Sequence, residues 1–220
     1  PLCFMLIYVF MFGYVFKSRE QYFAIFIFIG ITLWDFFNKT LIQSVKVIKT
    51  NKAIVSKVYI PKFILLVVRM GVNGFKMFIS LLIIVAMLAF WRVPITWNVL
   101  YTVPILLTLA ILVFGFGCFL LHYGVFVEDL SNVLNIALRF LFYLTGIFWN
   151  IMDKLPAPIN SYIGKGNPIA FLLTSMRQCL IYGKTPHRKL LLLWFVVGLI
   201  ISILGVRKIY KNENSYVKVI

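Results

Sequence analysis

The chain has 220 residues, 62% of them hydrophobic and 13% charged, with a mean hydropathy of +0.98 and a formal net charge of +16 from 22 basic and 6 acidic side chains. Soluble domains run nearer about 45–50% apolar and about 25% charged, so a soluble globular class is excluded. The bases are scattered among apolar stretches rather than gathered on one face, which excludes a nucleic-acid-binding module. The alternating ten-residue pattern of an outer-membrane barrel is absent too.

Stretches free of Asp, Glu, Lys and Arg, at 77–91, 93–127 and 190–206, mark transmembrane helices. The resulting expectation is an all-α integral membrane protein with six spans in one domain, 1–220. The first span covers 1–16. It is short, and the chain opens at Pro1 within an apolar run, so a natural beginning with an N-terminal interfacial helix is expected upstream. A polar turn at 17–21 leads into the second span, 22–43.

Next comes an elbow, 44–62, with five lysines and no acid. It cannot be buried in lipid and must lie at a water face; cytoplasmic loops collect Lys and Arg. An interfacial lead-in from Phe63 precedes the third span, 71–90. Trp91 and Trp97 flank a turn at the headgroup level, and the fourth span follows at 99–121. A loop at 122–130 holds the adjacent acids Glu128 and Asp129, then the fifth span occupies 131–150. Segment 151–187 is rich in Pro and Gly, with an apolar piece, 169–182, too short to span. A re-entrant or interfacial helix is predicted there, capped by Asn167 with Pro168 at its first position. The sixth span, 190–206, ends in a basic tail.

Catalytic chemistry is poorly served. Glu128 and Asp129 are neighbours, so on a helix they diverge; they favour a helix N-terminus or a contact to a basic partner surface. Tyr182-Gly-Lys-Thr-Pro186 has the tail of a phosphate-binding loop, but Gln178 stands where that loop needs glycine. Cys3, Cys118, Cys179, His122 and His187 are too dispersed for a metal or disulfide framework, and no metal site or cofactor is expected in this chain.

Three bases lie in or beside spans, where each costs about 2.5–3.5 kcal/mol at a helix centre. Arg69 is placed at the interface, and Lys76 follows on the same helix face within snorkelling reach. Arg139 lies mid-span and should face other helices or a watery path. It either guides an anionic group or bonds neighbouring helix carbonyls. Tyr143, Phe148 and Trp149 near the end of that span suit stacking on sugar rings or an interfacial belt.

The order of these parts resembles the membrane subunit of type-2 ATP-binding-cassette exporters, in the branch that exports O-antigen, capsule and wall teichoic acid. Gly13-Tyr14-Val15-Phe16, then Gly30 and Trp34 with Phe36-Phe37-Asn38, are similar to its first two spans. Asn51-Lys-Ala-Ile-Val-Ser-Lys-Val-Tyr-Ile-Pro61 resembles its cytoplasmic coupling helix. Leu138-Arg139-Phe-Leu-Phe-Tyr143 through Trp149 is similar to its fifth span, and Asn167-Pro168, Arg177 and Gly183 repeat an outer re-entrant spacing. Two positions depart from it: Glu128-Asp129 replaces Arg-Asp, and Thr145-Gly146-Ile147 replaces Ser-Pro-Ile, exchanging a kink for a flexible glycine.

The resemblance implies a half-transporter in the cytoplasmic membrane of a bacterium. It would pair with a second copy of itself and two nucleotide-binding subunits that carry ATP and magnesium. It would move a lipid-linked anionic glycopolymer outward and contact membrane lipids along its length. Coupling to the ATPase subunits would fall to Asn51, Lys52, Ile54, Val55, Lys57, Tyr59, Pro61, Glu128 and Asp129. The substrate path would involve Arg69, Lys76, Arg139, Tyr143 and Trp149. Nine bases on each side leave charge alone silent on orientation, so the cytoplasmic placing of the elbow rests on the resemblance. The alternatives are a membrane-embedded enzyme acting on a lipid-linked phosphate or sugar, and a scaffold subunit without a transport path.

Overall fold

The computed structural model describes residues 5–7, 10–11, 22–55, 60–94, 96–149, 156, 159–213 and 215–216. Most of the expected first span and the turn after it lie outside the described residues. The named helices are α1 (Phe23–Thr50), α2 (Lys52–Val55), α3 (Phe63–Phe90), α4 (Thr102–Phe126), α5 (Leu130–Leu144), α6 (Ile159–Gly166), α7 (Pro168–Leu180) and α8 (Arg188–Lys211), with a 3-10 turn at Trp97–Tyr101 running into α4. No strand occurs among the described residues.

Four helical stretches are long and apolar enough to cross a membrane: α1, α3, the continuous Trp97–Phe126, and α8. At about 1.5 Å per residue, the shortest reaches about 36 Å, beyond the roughly 30 Å of a bilayer core. In the most apolar window of α1, 78% of residues are buried, against 22% in α3 and in α8. α1 is therefore the enclosed helix, and α3 and α8 leave most of their apolar surface for lipid or another chain.

Several boundaries differ from expectation. The second span continues through the first half of the elbow to Thr50, because nothing from Gln43 to Thr50 breaks a helix and Ser44, Val45, Val47 and Ile48 are all buried. The lead-in at Phe63 is continuous with the third span. His122 lies inside α4 rather than in a loop. The fifth span is instead a 15-residue helix, ending at Leu144. There the Thr145 hydroxyl bonds back to the Leu141 carbonyl at 2.5 Å, and Gly146 turns the chain with φ +67°, a conformation only glycine adopts without strain.

The chain divides into two compact units. One comprises residues 1–35, 76–107 and 140–191; the other comprises 36–75, 108–139 and 192–220. In the first, Ile25–Ile29 of α1 are all 1% exposed or less, and nearly the whole of α7 is buried. Asn167 caps α7 as expected, accepting from the backbone N–H of Ile169 and Ala170 at 3.0 and 3.3 Å, with Pro168 at its first position. Asn98 donates to the Gly183 carbonyl at 2.6 Å, fastening the 3-10 turn to the loop after α7.

In the second unit, Val47, Ile48, Val55, Leu66, Leu121, Val125, Ile209 and Tyr216 form a common core. Asn73 of α3 donates to Thr40 Oγ1 and Gln43 Oε1 of α1 at 3.1 and 3.0 Å, the kind of interhelical bond that holds membrane helices together.

Candidate functional site

The elbow belongs wholly to the second unit. α1 ends in a tight local network: Thr50 Oγ1 donates to the Lys46 carbonyl at 3.0 Å, and Asn51 Nδ2 donates to the Val47 carbonyl at 2.7 Å. The Asn51 bond serves a carbonyl of the last turn, one of those that a helix end leaves open. Asn51 forms the turn, and α2 restarts from it with Val55 N–H on the Asn51 carbonyl at 3.0 Å. Val55 drops into the core, whereas Lys52 and Ala53 are exposed. Lys57, Tyr59 and the side chain of Ile54 lie outside the described residues.

The far end of the elbow is held by charge. Lys62, 3% exposed, forms an ion pair with Glu213 of the C-terminal tail at 3.3 Å. Beside it in sequence, Pro61 is half-buried. Three residues beyond Glu213, the Tyr216 hydroxyl lies 2.8 Å from Nδ1 of the buried His122. Burial, then the neighbouring Glu213 charge, push the Tyr216 phenol above its ordinary range. The described part of the tail is thus tied to the far end of the elbow and to α4.

Glu128 joins this assembly. It lines a groove of about 250 Å³ together with Lys46, Lys49 and Thr50 from the last turns of α1 and Ser131 from α5. Lys46, Lys49 and Glu128 are exposed, so the groove presents both signs of charge to water. Asp129 is exposed beside it, and its carbonyl accepts from Asn132 and Val133 N–H at the start of α5. The structure therefore brings Glu128 together with the lysines of the first half of the elbow, and places Asp129 at a helix N-terminus.

The expected path residues are spread along two helices and one turn. On α3, Arg69 is half-buried and Lys76 exposed; on α5, Arg139 and Tyr143 are exposed. Trp149, in the turn after α5, is half-buried. Since α5 stops at Leu144, Arg139 lies five residues from its end rather than mid-span, about 7.5 Å along the axis, and within snorkelling reach. Among the described residues Arg139 is exposed and no helix carbonyl accepts from it. Tyr143 is 68% exposed, whereas Phe148 is buried and stacks edge-on against Phe142 at 5.3 Å. The expected aromatic cluster is thus divided between a surface ring and packing rings.

One base that the sequence marked only by its spacing is buried in the structure. Arg177 of α7 is 3% exposed and donates three bonds: Nε to the Phe26 carbonyl at 3.1 Å, Nη1 to the Gly146 carbonyl at 2.8 Å, and Nη2 to the Ile147 carbonyl at 2.7 Å. Its guanidinium also lies 3.4 Å over the Phe26 ring. The signal was present: a lone charge within the apolar stretch 169–182 requires a buried partner.

No known family profile matches the chain. Individual proteins do. The chain is 23% identical over 221 residues to an O-antigen export system permease protein RfbA of Klebsiella pneumoniae, spanning 100% of this chain and 84% of that one. A second protein of the same name and organism is 22% identical over the same shares. An O-antigen export system permease protein RfbA of Myxococcus xanthus is 24% identical over 91% of this chain and 77% of its own length. The resemblance carried by the spans and elbow is thus matched by similarity to O-antigen export permeases along essentially the entire chain.

Proposed function

We propose that the chain is the membrane-spanning subunit of an ATP-driven exporter, moving a lipid-linked polysaccharide or teichoic acid outward across the cytoplasmic membrane of a bacterium. The observation that carries this reading is the full-length similarity to permeases of O-antigen export. The anchored basic elbow supplies its mechanics. Two copies form the transporter, each taking a separate nucleotide-binding subunit that holds ATP and magnesium. The chain itself is not an enzyme.

In this reading the nucleotide-binding subunit seats against α2 and the groove of Lys46, Lys49 and Glu128, with Asn51, Lys52, Ile54, Val55, Lys57, Tyr59, Pro61 and Asp129 completing the contact. A push on α2 is not absorbed locally. Val55 in the core, the Asn51 bond to α1 and the Lys62–Glu213 pair deliver it to α1, α3 and the tail. Arg69, Lys76 and Arg139 attract the pyrophosphate of the carrier, while Tyr143 and Trp149 offer ring faces to sugars. A second copy covers exposed apolar surface such as Val133, Ile136 and Phe140 of α5.

The test is co-purification with a nucleotide-binding ATPase subunit. Lys49→Glu with Lys52→Glu should weaken that complex about tenfold or more, as expected for losing charges at a docking face. Undiminished binding and ATPase coupling in this variant would sink the reading.

A further inference from the structure

The first unit contains a cavity of about 430 Å³ that none of the expected path residues lines. One wall is a single face of α7, on which Phe171, Thr174, Ser175 and Gln178 recur at helical spacing. The end of α6 adds Lys165, and the entry to α8 adds His187 and Arg188. Lys165, His187 and Arg188 are exposed at the rim, and Ser175 is buried at the wall. None of the described residues lining it is acidic. Arg188 is steadied by the Tyr101 ring, 5.3 Å from its guanidinium carbon.

We propose that this cavity binds one sugar unit bearing a phosphate or carboxylate. The volume falls in the range of about 300–1,000 Å³ typical of small-molecule sites. Lys165 and Arg188 supply charge-assisted bonds to the anionic group, and Arg188 matches a planar pair of oxygens. Thr174, Ser175 and Gln178 offer hydroxyl and amide partners to sugar hydroxyls, and Phe171 offers an apolar surface to the ring carbons. A bare anion needs only the cations; the polar α7 face gives the site its sugar preference. The inference deepens the export reading by naming a subsite for the polymer, but the site is defined on this chain alone.

The experiment uses the full chain in phosphatidylcholine nanodiscs, without ATP or any ATPase, and radiolabelled glucose 1-phosphate as probe. Saturable binding is expected, weakened about tenfold in Lys165→Gln/Arg188→Gln. Thr174→Val/Gln178→Leu should weaken glucose 1-phosphate but leave inorganic phosphate binding unchanged. Lys184→Gln, an exposed base outside the cavity lining, should behave as wild type. Absence of saturable binding, equal binding by the Lys165/Arg188 variant, or equal competition by inorganic phosphate would overturn the site. Loss of binding when phosphatidylglycerol replaces part of the bilayer would assign the cavity to a lipid headgroup and equally overturn it. A chain that binds the probe as expected yet never associates with an ATPase would retain this site while losing the export reading.

Discussion

A methyl group on Gly30 would lie 2.7 Å from Nη2 of Arg177, closer than real side chains approach. Glycine in the middle of α1 is therefore the space into which the guanidinium fits. The guanidinium in turn holds the carbonyls of Gly146 and Ile147, where the chain turns after α5.

Gly30→Ala should destabilise the protein by about 1–3 kcal/mol, the usual cost of overpacking, because a guanidinium fixed by three bonds cannot step aside. Arg177→Gln should cost about 1–3 kcal/mol for each carbonyl it orphans. The double variant should lose less than the sum, since both changes act on one contact. Thermal unfolding in detergent reads all three; strict additivity would show that the two residues do not share it.

Breaking the Lys62–Glu213 pair should be costly, because either partner alone leaves a buried charge. Glu213→Gln or Lys62→Met should each lower stability by about 3–5 kcal/mol. The exchange Lys62→Glu/Glu213→Lys should recover most of that loss. Denaturant or thermal midpoints of the four proteins decide the matter, and an exchange variant no better than the singles would contradict the pairing.

The Tyr216 phenol gives a pH signature. Its folded-state pKa is raised by burial, so above the ordinary phenol value of 10.0 the unfolded chain releases a proton that the folded chain still holds. Stability is then undiminished below that pH and falls as pH rises beyond it. Tyr216→Phe should abolish this alkaline decline and cost about 1 kcal/mol at neutral pH through the lost His122 bond. An unchanged alkaline limb in the Phe variant would count against the assignment.

Position 139 tests the path. Cys118 and Cys179 are buried, so Arg139→Cys in a Cys3→Ser background offers a new thiol to a membrane-impermeant maleimide. In the assembled exporter it should react within about tenfold of a cysteine at exposed position 184, as befits a water-facing base. A thiol sealed from the reagent would remove Arg139 from any aqueous route.

The long helices, the cap at Asn167-Pro168 and the basic elbow were legible in the sequence because hydropathy, capping chemistry and charge are local properties. Three features were not. The extension of α1 to Thr50 depends on burial of Val47 and Ile48 by distant segments, which outweighs the polarity of the lysines on either side of them. The early end of α5 goes with carbonyls of Gly146 and Ile147 that accept from Arg177, a residue 30 positions further on. His122 read as a loop residue because its partner, Tyr216, comes from the tail. Glu128 was expected to act together with the elbow; in the structure it lines one groove with Lys46 and Lys49, which were not singled out.

The three bonds of Arg177 also set an order of events during synthesis. Phe26, Gly146 and Ile147 precede their donor by 151, 31 and 30 residues. At about 5–20 residues per second, the bend after α5 waits roughly 2–6 s for the residue that closes it. Until Arg177 is made and α7 packs in place, the bend lacks the donor that its two carbonyls take in the folded chain.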